Sequence, residues 1–159
     1  MDPQPGERVV TNPEELRREI ETCVEQRGAC LLDLFIRGRS PNRVYEIFID
    51  NEQGVTLEFC SEISRDIKSL LDRITTDRQY RLVVSSPGFD RPLKYPWQFK
   101  KHVGKLMQVR RRVAEGIEAT TGRLVTADSD GFVLLDDSAK QEKRFDFAPT
   151  VEAKLKAPW

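Results

Sequence analysis

The stretch Arg81-Leu82-Val83-Val84-Ser85-Ser86-Pro87-Gly88-Phe89-Asp90-Arg91-Pro92-Leu93 constrains the fold most, because the chain changes character across it. Tyr80, Leu82 and Val84 alternate with Arg81 and Val83, the period of a half-buried strand. Pro87 then removes a backbone donor and Gly88 permits a positive φ, so the ladder stops and the chain turns. Pro92 holds Arg91 extended, and Asp90 beside Arg91 reads as an ion pair bracing the exit. Three backbone constraints this close together describe a linker with a limited range of angles. The expected organisation is an N-terminal domain over 1–88, a linker over 89–93 and a C-terminal domain over 94–159.

The charges divide at the same place. A formal net charge of zero hides 13 Lys plus Arg against 17 Asp plus Glu up to Pro92, a balance of −4, and 13 against 9 beyond it, a balance of +4. The run from Lys94 to Arg112 contains Lys94, Lys100, Lys101, Lys105, Arg110, Arg111 and Arg112 and no acid. Cations in such a run neutralise phosphates with release of counterions, which makes these seven the candidate RNA-binding residues. Tyr95, Trp97 and Phe99 lie among them. Trp97 and Phe99 read as core, plugging the open end of a barrel. Arg37, Arg39 and Arg43 form a weaker basic candidate.

In the first half, Asn12-Pro13-Glu14-Glu15 starts a helix, with Asn12 as cap and Pro13 at the first helical position. Leu16, Ile20, Cys23 and Val24 share one face, and Gly28 supplies the stop. Strands follow over 29–37 and 43–50. Thr56 caps a second helix carrying Cys60, Ile63, Ile67, Leu70, Leu71 and Ile74 at helical spacing. A strand over 79–85 completes an α-β-β-α-β unit, a three-stranded sheet covered on one face. That order is KH-like, but none of the nine glycines is three residues from another, so a Gly-x-x-Gly clamp is missing. Residues Met1–Gly6 and the loops around Gly38 and Gly54 read as disordered.

The second half reads as short strands over 106–112, 119–127, 132–135, 143–147 and 151–156, separated by turns such as Asp128-Ser129-Asp130-Gly131. Five short strands in so few residues predict a small β-barrel, with Gly122 marking a bulge.

The run VSSPGFDRPL closely resembles the signature of the ribosome maturation factor RimP family. Ile49-Asp50 with Gly54-Val55-Thr56-Leu57, Phe99 with Val103-Gly104, Thr121-Gly122-Arg123-Leu124 and Val151-Glu152-Ala153-Lys154-Leu155 extend the resemblance over nearly the whole chain. Phe89 stands where that family more usually has Leu. The resemblance implies an α+β chain whose second domain is a small Sm/SH3-like β-barrel. It also implies an interdomain motif built from Ser85, Ser86, Pro87, Gly88, Asp90, Arg91 and Pro92. The function it implies is a non-enzymatic assembly factor that binds the immature small ribosomal subunit in the bacterial cytoplasm.

Chemistry finds little support in the residues. His102 is the one histidine and has no ligand-type neighbours. Phosphate-loop and dinucleotide glycine patterns are missing, and Asp128, Asp130, Asp136 and Asp137 are spaced as turn residues rather than as a calcium loop. Cys23, Cys30 and Cys60 sit in apolar surroundings, as small core residues do. The expectation is no metal, no cofactor and no catalysis. No apolar run is long enough for a membrane span and no signal peptide is visible, so a cytoplasmic monomer is expected. Its partners would be ribosomal RNA, met by the basic run, and a basic ribosomal protein, met by the acidic domain through Glu14, Glu15, Glu21 and Glu25. The alternative is an SH3-like module that docks a peptide without binding RNA. Salt dependence toward RNA separates the two.

Overall fold

The computed structural model describes residues 9–88, 91–148 and 150–157. Asp90 and Met1–Gly6 lie outside these, and so do the expectations placed on them. The chain divides into two compact units, Met1–Ser86 and Pro87–Trp159, each with its own apolar core.

Unit 1 has the order α1 (Pro13–Gln26), β1 (Cys30–Arg37), β2 (Arg43–Asp50), α2 (Leu57–Ile74) and β3 (Tyr80–Ser85), the α-β-β-α-β series expected. The helix ends follow their caps. Asn12 Oδ1 accepts from the Glu14 amide at 2.8 Å and Thr56 Oγ1 from the Phe59 amide at 3.0 Å, satisfying donors that the first turn leaves unpaired. Gly28 leaves α1 at φ +81°. The sheet order is β1-β2-β3, with β1 antiparallel and β3 parallel to the central β2. Tyr45, Ile47 and Ile49 of β2 are fully buried against Ile20, Val24, Ile63, Ile67 and Leu71 of the helices. Each such side chain contributes roughly 1.5–3 kcal/mol on burial. The Gly38 loop is an ordered turn in which the Asn42 amide donates to the Arg39 carbonyl at 2.6 Å. Gly38, at φ +74°, is required there because a Cβ would meet the Asn42 carbonyl at 2.7 Å.

Unit 2 opens with a five-residue helix, α3 (Pro96–Lys100), then β4 (Leu106–Val113), β5 (Gly116–Ala127), β6 (Gly131–Asp136), β7 (Glu142–Asp146) and β8 (Thr150–Leu155). All pairings are antiparallel, in the order β7-β6-β5-β4-β8. The Sm/SH3-like β-barrel expected here does not form. Closure needs the two end strands to pair with a consistent tilt and stagger. In this sheet β7 and β8 are the two ends, and no ladder joins them among the described residues. The SH3-like peptide-docking alternative loses its scaffold with the barrel.

The open sheet is nonetheless curled. Laid flat, its edge strands would stand about 19 Å apart at about 4.8 Å per spacing. The three residues between Asp146 and Thr150 reach about 15 Å at most. Inside the curl, Phe132 stacks on Phe99 at 4.7 Å and on Phe145 at 5.2 Å, beside Met107, Val109, Leu124 and Leu134. Gly122 is not a bulge, since it sits in regular register opposite Met107, and the irregularity falls between Leu124 and Thr126. What excludes a side chain at Gly122 is the Leu135 carbonyl, 2.3 Å from where a Cβ would lie.

Candidate nucleic-acid interface

Alternation along β4 sorts the basic run. Met107 and Val109 point into the core, while Gln108, Arg110 and Arg112 are exposed on the other face. Arg111 therefore turns inward, away from its two neighbours. Its guanidinium meets Glu118 at 3.3 Å and lies 5.2 Å from the Phe145 ring centre. Lys143 of β7 also bonds to Glu118 and lies 5.4 Å from the same ring. The Lys143 hydrogen bond first, and Arg111 after it, hold the Glu118 carboxyl below the usual carboxylate range. Arg111 is thus part of a structural charge cluster, and the outward face keeps only Arg110 and Arg112 of the three.

Register adds cations that sequence spacing does not reveal. Arg123 of β5 pairs opposite Leu106 and is exposed, with Nη1 donating to the Gly104 carbonyl at 3.1 Å. Lys154 of β8 stands opposite Gln108, and its ammonium is 3.3 Å from Glu152, which itself faces Arg110. Lys105, exposed just before β4, extends the row. From Lys105 to Arg112 it runs roughly 23 Å at the rise of a strand. Among the described residues, no acid lies within ion-pair distance of Lys100, Lys105, Arg110 or Arg112.

The remaining candidates gather around α3. Lys94 and Lys100 are exposed, and Lys101 places its ammonium 5.5 Å from the Trp97 ring centre. Gln98 is buried, its Oε1 accepting from the Lys94 and Tyr95 amides at 2.7 and 3.0 Å. The two aromatics expected as a plug separate. Phe99 is core, whereas Trp97 is half-buried and stacked parallel to the exposed Tyr95 at 6.1 Å. A ring pair flanked by cations offers faces on which bases stack. The five-residue helix that arranges this was not anticipated, although Pro96 at its first position signals it.

In unit 1 the cations are engaged differently. Arg37 is 3.7 Å from Glu46 and Arg43 is 3.5 Å from Asp77, while Arg39 stays in the exposed loop. Of the acidic positions named on α1, Glu14 and Glu25 are exposed, but Glu15 and Glu21 are half-buried. Within the junction, Ser85 ends β3 opposite Phe48, and the Arg91 amide donates to the Gly88 carbonyl at 3.2 Å. Asp128 and Asp136 each close a turn, their Oδ1 atoms accepting the Asp130 and Ser138 amides at 2.8 Å. Burial pushes the Cys23 and Cys60 thiols up, away from the reactive thiolate. Among the described residues no group of three His, Cys, Asp or Glu side chains is placed to hold a metal, and no helix is long and apolar enough to cross a membrane.

Residues 19–90 match the family model described as the RimP N-terminal domain, and unit 1 is a domain of that class. The Ribosome maturation factor RimP of Chlorobium chlorochromatii (strain CaD3) is 36% identical over 107 residues, covering 65% of this chain and 60% of that relative. The chain thus spans less than two thirds of that relative's length, and over the matched residues it is similar to the RimP family.

Proposed function

We propose that this chain is a non-enzymatic ribosome assembly factor that binds the immature small ribosomal subunit and promotes its maturation in the cytoplasm. The likeness to the RimP N-terminal domain supports the assembly role, and the relative's own name is that of a ribosome maturation factor. The observation that carries RNA contact is the outward basic row at Lys105, Arg110, Arg112 and Arg123, in which the first three have no acid to hold them among the described residues. Such a factor acts by binding one RNA conformation better than its competitors, shifting the population by that difference. Glu14 and Glu25 on α1 offer a complementary surface to a basic ribosomal protein, where charge sets orientation more than affinity.

The test is co-sedimentation of the purified chain with free small subunits and with complete ribosomes over a series of salt concentrations. Preference for the free, immature subunit is expected. Replacing Lys105, Arg110 and Arg112 with Ala should lower the slope of log affinity against log salt by roughly one unit per lost phosphate contact. An unchanged slope in the folded variant removes this face from the interaction.

A further inference from the structure

Arg43 begins β2, Tyr80 begins β3, and the two are partners in the parallel ladder. Both strands therefore start at the same end of the sheet. Between those starts lies an open groove lined by Asn42, Arg43, Arg78, Gln79, Tyr80 and Arg81, with Pro41 and Val44 at its margin. The three arginines reach it from three directions. Arg43 comes from the helix-covered face, where its Nη1 is 3.5 Å from Asp77. Arg78 comes from the turn after α2, and Arg81 from the opposite face of β3, where it is exposed.

Two features distinguish this from a solvated cluster. The Nε of Arg43 is buried and has no hydrogen-bond acceptor among the described residues. A buried donor without an acceptor is costly, and few are tolerated without a reason. Arg78 is oriented: its Nη1 donates to the Thr75 carbonyl at 2.9 Å and to the Asp77 carbonyl at 3.0 Å. Those two bonds occupy one nitrogen of a fork with five donor hydrogens, leaving Nη2 and Nε for another acceptor. Asp77 is the acid that touches this group, through Arg43 and the Tyr45 hydroxyl, while Asp72 is bonded to Lys68 and the Tyr80 hydroxyl. Three guanidinium groups against these two carboxylates, one of them already paired with Lys68, leave the groove positive, in the half of the chain whose overall balance is negative.

We propose that this groove binds a phosphoryl oxyanion. Planar guanidinium forks match the oxygens of a phosphate in pairs, a geometry that ammonium groups do not offer. The oxyanion would supply the acceptor that Arg43 Nε lacks and bridge it to Arg78 and Arg81. The phosphoryl group can come from an RNA backbone or from free phosphate. Its RNA form rests on the assembly role proposed above, and its free-phosphate form does not.

The experiment follows the arginine Nε–Hε resonances of the full chain by NMR, at ionic strength held constant with chloride. One titration uses inorganic phosphate and a second uses a short single-stranded RNA. A saturable shift at Arg43 and Arg78 is expected in at least one arm. Saturation by phosphate alone assigns a free-anion site, and saturation by RNA that phosphate reverses assigns a backbone site. Arg78→Gln with Arg81→Gln should weaken the binding by roughly tenfold or more, the loss of two charge-assisted contacts. Arg81→Gln alone, at an exposed position, should weaken it by less and guards against a double variant that fails to fold. No saturable shift in either arm, or a folded double variant that binds as the parent does, overturns the proposal. Failure of the assembly role would appear elsewhere, as an unchanged salt slope in the variant of Lys105, Arg110 and Arg112.

Discussion

Unit 1 and the outer face of unit 2 use positive charge in opposite ways. In unit 1 four cations are tied to a carboxylate: Arg27 to Asp66 at 2.6 Å, Lys68 to Asp72 at 3.0 Å, Arg43 to Asp77 and Arg37 to Glu46. On the outer face of β4, Arg110 and Arg112 form no ion pair among the described residues, Glu152 opposite Arg110 being paired with Lys154, while Arg111 between them is clasped by Glu118. The difference shows that net charge alone does not identify a binding surface. A cation that already has a partner contributes to the fold, and one held out on a strand face is available to a phosphate.

The largest expected effect would show how little unit 2 depends on its outer charges. Phe132 is fully buried and touches Phe99, Phe145 and Phe147. Phe132→Ala should cost about 3–5 kcal/mol through lost burial and the cavity left behind. Both tryptophans of the chain, Trp97 and Trp159, belong to unit 2, so tryptophan fluorescence during denaturation reports the loss. A change below about 1 kcal/mol would mean that something other than the aromatic stack holds this unit.

Next comes the tied cation of unit 1. The Asp77 side chain is 12% exposed and holds both Arg43 and the Tyr45 hydroxyl, the latter at 3.0 Å. Asp77→Ala strands two polar groups in a buried setting and should cost about 1–3 kcal/mol. Far-UV circular dichroism follows it, since α1 and α2 carry most of the helix. Indifference to the substitution would erase the contrast between the units.

The outer arginines should behave in the reverse manner. Arg110→Ala with Arg112→Ala should leave stability within about 0.5 kcal/mol of the parent, as surface changes without a special role do. The same pair should remove about two units from the salt slope of RNA binding. Arg111→Ala should give the opposite pattern, a less stable protein with nearly the same slope. If Arg111 and Arg112 prove interchangeable in both assays, the sorting by strand face is wrong.

The smallest effect concerns Asp128. The Arg144 side chain, then the amides of Asp130 and Gly131, hold its carboxyl down at about 2, below its ordinary 3.8. A depressed carboxyl stabilises the folded state above its ordinary value and ceases to do so as the pH falls toward the folded one. Thermal denaturation of the parent and of Asp128→Asn should therefore converge between 3.8 and about 2. Because the side chain is exposed, the gap above that window should be small. Parallel curves through the window would assign the acid sensitivity of this turn to another group.

Much of unit 1 was legible because its signals are local. Asn12 and Thr56 announce their helices, and the apolar residues of α2 and β2 keep periods that no other structure satisfies. The inward turn of Arg111 was legible too, since it continues the alternation of Met107 and Val109, but counting cations along the run obscured it. Closure of the second sheet was not legible. Strand number and turn signals are local, whereas pairing between β7 and β8 depends on tilt and stagger accumulated over all five strands. The groove of Arg43, Arg78 and Arg81 was equally hidden, because only the parallel ladder brings residue 43 beside residue 80.

A sheet that curls without closing keeps two edges, of which β8 is covered only at Ala153 by the Leu93 amide among the described residues, and uncovered edges are templates on which a second molecule can add a strand. The composition of those edges then acquires a purpose. Four of the five residues of β7 are charged, namely Glu142, Lys143, Arg144 and Asp146, and β8 carries Glu152 and Lys154 in alternation. A strand from another copy laid along either edge would bring these charges against its own and strip water from them. The edges left by incomplete closure are thus guarded against self-association at high concentration, where an apolar edge of the same length would seed aggregates.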